Sequence, residues 1–108
     1  MCIRDSIHVE DLAASCLMAG LAAAADGRIY NVTDGTDDSL TSYLQRVAHI
    51  GGLPQPPLIS RAEARERASQ SSWSFLGESR RVDNRRMREE LGVVLAYEDL
   101  DAGIRASL

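Results

Sequence analysis

The sequence predicts a helix-rich α/β fold with two or three strands, too little sheet to complete a doubly wound domain. Three observations lead there. Apolar residues recur at helical spacing in several segments, and two short runs rich in β-branched and aromatic residues, 28–33 and 93–97, lie between them. No low-complexity linker divides the 108 residues, a length that accommodates one small domain or a piece of one.

The elements follow in chain order. Across residues 11–25, Leu12, Cys16, Leu17 and Leu21 fall on one helical stripe, with Ala13, Gly20 and Ala24 filling it. Such a narrow, alanine-rich face suits close approach to a sheet or another helix, and Cys16 on it reads as a buried small hydrophobe rather than a nucleophile. Glu10 and Asp11 place negative charge where the helix dipole favours it, and Asp26-Gly27 is a stop. Residues 28–33 then read as a moderately buried strand ended by Asp34-Gly35.

Ser39 caps a helix over Leu40–Ile50 with Leu40, Tyr43, Leu44 and Val47 on one face, and Gly51, Gly52 and Pro54 end it. Prolines 54, 56 and 57 keep the next stretch extended, with Leu58-Ile59 as a possible short strand. Ser60 caps a polar helix over residues 61–68. Residues 69–77, serine-rich and then aromatic at Trp73 and Phe75, read as an irregular, partly buried loop. Asp83 or Asn84 caps Arg85–Leu91, and Gly92 supplies a left-handed stop. A strand over 93–97 precedes a last helix begun by Asp99, with Leu100, Ile104 and Leu108 inward.

Composition narrows the function classes. With 44% hydrophobic and 26% charged residues the chain resembles a soluble globular protein, and no apolar run reaches membrane-span length, so a cytoplasmic location is expected. The net charge of −4 argues against nucleic-acid or anionic-membrane partners. All 12 basic residues are arginine. Chemistry that needs a Schiff-base lysine, a phosphate-loop lysine or a lysine beside a tyrosine is therefore excluded from this chain.

Residues 1–6, Met-Cys-Ile-Arg-Asp-Ser, show no helix, strand or signal-peptide logic. They resemble the in-frame translation of a transposase mosaic-end adapter, which makes 7–108 the genuine part. The competing expectation is that Arg4 and Asp5 are native, with Arg4 on a pyrophosphate, as in some sugar-nucleotide epimerases.

The run Ile7-His8-Val9-Glu10-Asp11-Leu12-Ala13, an alanine-rich helix, Gly27-Arg28-Ile29-Tyr30-Asn31-Val32 and a serine-capped helix follow one another in a distinctive order. Glu78-Ser79-Arg80-Arg81-Val82-Asp83-Asn84, then Glu90-Leu91-Gly92, complete it. This order resembles the C-terminal part of extended short-chain dehydrogenases/reductases, the NAD-dependent epimerase/dehydratase family. The resemblance implies the incomplete C-terminal portion of an NAD(P)-binding Rossmann-like fold, covering the substrate side of the cleft. It implies a parent enzyme that uses NAD or NADP to transfer hydride to or from a sugar-nucleotide or similar small substrate. The family's glycine-rich turn and its tyrosine followed four positions later by lysine are both missing: Tyr30, Tyr43 and Tyr97 are followed by Asp34, Val47 and Asp101. No catalytic or cofactor-binding residue is therefore assigned, and the chain alone is expected to be inactive and to bind no cofactor.

Four substrate-side candidates remain. Arg80 and Arg81 precede a helix and adjoin the aromatic patch, where a guanidinium could pair bidentately with a pyrophosphate. Trp73 could line a pocket or form local core, and His8 could touch substrate or bond to nearby backbone. Arg85 with Glu89 and Arg86 with Glu90 have the spacing of surface ion pairs, and His49 reads as surface. No residues have metal-site spacing; Asp34, Asp37 and Asp38 around Gly35 resemble a calcium loop only loosely and lack its terminal glutamate. The alternative function is a small binding module that uses residues 80–88 against an acidic partner. The oligomeric state is left open.

Overall fold

The computed structural model describes residues 6–108. Readings that fall on residues 1–5, including Arg4 and Asp5 and most of the adapter-like leader, lie outside them. The described residues form six helices, α1 (Val9–Leu21), α2 (Leu40–Ile50), α3 (Arg61–Arg67), α4 (Gln70–Leu76), α5 (Arg85–Leu91) and α6 (Leu100–Ala106), with a 3-10 turn at Ala23–Ala25. The expected α/β class is therefore corrected to helical, with no strand among the described residues.

The reason is physical: a strand exists only by pairing. Residues 28–33, 58–59 and 93–97 have strand-like composition, but none forms a hydrogen-bonded ladder with another described segment. Ile29 is 81% exposed and Val94 88%, while Tyr30, Val32, Val93 and Leu95 pack inward without a ladder, so these segments bury side chains as extended chain rather than as paired strands.

Two compact units are present. The first, 37–81, holds α2, α3 and α4. Each helix is capped by the serine before it: Ser39 Oγ accepts from Ser42 N–H, Ser60 Oγ from Glu63 N–H and Ser69 Oγ from Ser72 N–H. The last of these corrects the loop expected over 69–77. Ser69 satisfies a first-turn donor, and the serines that suggested turn chemistry continue as helix, with Ser74 Oγ donating to Ser71 O.

The second unit comprises residues 6–36 and 82–108. Met87, Leu91 and Val93 form its buried centre, with Ala19, Ala22, Ala25, Tyr30, Val32 and Leu95 against them. α5 ends at Gly92, whose φ of 67° is left-handed. Asp83 Oδ1 caps the Arg85 N–H, while Asn84 instead donates to Thr33 O at 2.8 Å. α6 buries Leu100 and Ile104, but Leu108 lies past the helix end and is exposed.

α1 is turned over relative to expectation. Its inner side carries Asp11 and Ser15, while Leu12, Cys16, Leu17 and Leu21 are exposed. Cys16 is thus not the buried residue expected. The polar inner side is satisfied: Asp11 Oδ1 accepts from Ala96 N–H at 2.8 Å, Asp11 Oδ2 from Tyr97 N–H at 2.9 Å, and Ser15 Oγ donates to Asp11 O at 2.7 Å. With its inner positions taken by these contacts, the apolar stripe faces outward.

Candidate functional site

A concave, largely apolar feature lies within the 37–81 unit. Residues Leu40 and Leu44 of α2, the Pro56–Ile59 stretch, Ala64 of α3 and Trp73 and Leu76 of α4 line a cleft of about 480 Å³, with Thr41, Ser60 and Arg61 as its polar members. Local sequence builds each wall. Leu40 and Leu44 are four apart on one helix and Trp73 and Leu76 three apart on another, so each pair shares a face. The prolines hold the connecting chain out of helix, which leaves Pro57 and Ile59 as a third wall.

Arg61, first residue of α3, sits at the rim. Its guanidinium lies 5.3 Å from the centre of the Trp73 ring, and its NH2 group donates to Gly77 O at 2.8 Å. Gly77 itself is confined: a Cβ there would come within 2.8 Å of Trp73 O and about 3 Å of the indole ring. The turn after α4 is thereby closed against Trp73, and Arg61 is fastened across both. A second hollow on the other side of Arg61 is lined by Ala62, Arg65, Glu66 and Trp73.

Of the four sequence candidates, only Trp73 lines the cleft. Arg80 pairs with Glu78, and Arg81 Nε lies 3.8 Å from Asp37 Oδ2; both are exposed and neither belongs to the lining. His8 belongs to the other unit and has structural work there: its Nδ1 accepts from Glu10 N–H at the start of α1, and its ring lies 4.0 Å from that of Tyr97. The remaining arginines of the basic run also face carboxylates. Arg86 pairs with Glu90 as its spacing suggested, Arg85 turns back to Asp83 rather than to Glu89, and Arg88 meets Glu98 at 2.7 Å. His49 is exposed, as expected.

A nicotinamide cofactor does not fit these residues. Gly51 and Gly52 close α2 instead of joining a strand to a helix, so they offer no pyrophosphate turn. Tyr30 is packed against the buried centre with its hydroxyl unpartnered, and the Tyr97 ring lies tilted against that of His8. Among the described residues no group of three or more His, Cys, Asp or Glu could hold a metal ion, and no helix is long and apolar enough to cross a membrane.

No protein-family model and no curated protein matches the chain. Among solved structures, a functionally unknown conserved protein from Silicibacter pomeroyi DSS is similar at a TM-score of 0.84 and 34% identity, over 97% of this chain and 37% of that one. The chain thus spans little more than a third of its neighbour's length. The Rossmann-like, NAD-dependent short-chain dehydrogenase classification implied by the motifs finds no support in the helical architecture or in this neighbour, and is corrected accordingly.

Proposed function

We propose that this chain is the substrate-side part of a longer enzyme that passes a hydride between NAD or NADP and a small organic substrate, and that alone it is catalytically inert. The observation that carries the reading is the outward apolar stripe of α1. A helix that buries Asp11 and Ser15 while exposing Leu12, Cys16 and Leu17 has a second face to cover. The length of the Silicibacter neighbour supports a cover from the same polypeptide, since 37% of it accounts for this chain. The hydride chemistry is proposed from the order of sequence motifs alone, without the Rossmann-like fold they implied, and the substrate role from the cleft in 37–81.

The pairing of Arg80, Arg81, Arg85, Arg86 and Arg88 with carboxylates favours this reading over a binding module for an acidic partner, because those cations are already matched. The test compares the 108-residue chain with the same chain joined to its upstream coding sequence. NADH and NADPH oxidation are followed against a panel of carbonyl substrates, and cofactor binding by calorimetry. Turnover and cofactor binding are expected only in the longer polypeptide. Saturable NAD(P)H binding by the short chain, or no hydride transfer by the long one, overturns the proposal.

A further inference from the structure

Resting on the reading of 37–81 as the substrate side, we propose that its cleft takes a small molecule with an apolar body and a single carboxylate, and that Arg61 holds the carboxylate. The volume of about 480 Å³ is in the range of small-molecule sites, and leucine, isoleucine, proline and indole surfaces make most of the wall. Such a wall rewards an apolar body and offers few partners to a sugar ring.

The charge at the rim selects the other end of the ligand. Eight arginines of the chain face a carboxylate of the chain itself. Among the described residues Arg61 pairs with none: it is held by Gly77 O and the Trp73 ring, which fix the plane of its guanidinium without neutralising it. A planar, fixed fork with unused N–H donors matches a carboxylate bidentately. Ser60 adds a donor: its Oγ accepts from Glu63 N–H, which leaves its own O–H available toward the cleft that it lines. One cation with the hydroxyls of Ser60 and Thr41 suits a monoanion. A pyrophosphate carries more charge than the cleft lining meets, and in the adjoining hollow Arg65 is offset by Glu66.

Trp73 is the chain's single tryptophan and lines this cleft, so its emission reports on the cleft and on the adjoining hollow that it also borders. The 108-residue chain is titrated with 4-phenylbutyrate, with the neutral 4-phenylbutanamide and with inorganic pyrophosphate, exciting at the red edge of indole absorption. A saturable change with phenylbutyrate is expected, about tenfold or more tighter than with the amide, as a charge-assisted hydrogen-bond pair implies. Arg61→Met keeps the apolar stem over Trp73 and is expected to bind acid and amide alike, whereas Arg61→Lys recovers part of the preference. No saturable response, equal affinity for acid and amide in the unaltered chain, or displacement of phenylbutyrate by pyrophosphate overturns the proposal. Carboxylate binding together with failure of hydride transfer in the longer polypeptide leaves this site standing and removes the enzymatic reading.

Discussion

Replacing Asp11 tests the internal logic of the second unit. Its carboxylate, 2% exposed, receives two backbone N–H groups from residues 85 and 86 positions away, at 2.8 and 2.9 Å. It therefore fastens the start of α1 to the turn that precedes α6. A hydrogen bond to a charged group contributes about 1.5–3 kcal/mol, so losing it should speed local opening at each amide by about ten- to a hundredfold. In Asp11→Ala both acceptors go, and the amides of Ala96 and Tyr97 are expected to exchange with deuterium faster by that factor. Asp11→Asn keeps one carbonyl oxygen and turns an NH2 group on the other donor, so one amide should remain protected and the other should not. Two-dimensional NMR of exchanging amides reads each position separately. The amides of α2, in the other unit, provide the control. If Ala96 and Tyr97 keep their protection in Asp11→Ala, or if α2 loosens as much as they do, the carboxylate is not the local fastening described.

Three further outcomes follow from the same geometry. Gly92→Ala meets no atom within 4 Å but must hold a φ of 67°, so it should cost about 1–2 kcal/mol and lower the melting temperature by several degrees in a thermal scan; an unchanged Tm would contradict the left-handed stop. Ser69→Ala removes the side-chain acceptor at the start of α4, worth about 1 kcal/mol, and should shift Trp73 emission to the red as that short helix frays; unchanged emission and helicity would restore the loop reading of 69–77. Leu12→Glu, on the outward face of α1, should leave far-UV circular dichroism unchanged while reducing self-association of the isolated chain in sedimentation velocity; loss of helix would mean that Leu12 packs inward after all.

Local signals in the sequence were read well where the chain itself supplies the answer. Ser39 and Ser60 cap where expected, Leu40–Ile50 and Arg85–Leu91 have the expected bounds, and Gly92 is left-handed. These features depend on a few neighbouring residues and on backbone sterics. The loop expected over 69–77 erred because serine favours turns and caps alike, and only the cap at Ser69 distinguishes them. That error also hid the candidate site, since Trp73 and Leu76 share a face only if the segment is helical. Arg61 was legible as the first residue of a helix, but its partner ring lies twelve positions on, across a turn whose conformation no local pattern sets.

The errors about strands and about α1 have one origin. Composition marks a segment as suited to pairing or burial, whereas pairing and burial are properties of two surfaces. Ile29 and Val94 belong to segments with strand composition and no ladder; Leu12 and Leu17 belong to a stripe with helical spacing and no cover. Each case breaks the agreement between local pattern and tertiary placement: these four lie in the unit centred on Met87, Leu91 and Val93, and Leu58 and Ile59, also exposed, lie in the other. Burial in the unit of Met87, Leu91 and Val93 is decided by which residues reach those three, and Asp11 and Ser15 hold the inner side of α1 through hydrogen bonds that no apolar periodicity encodes.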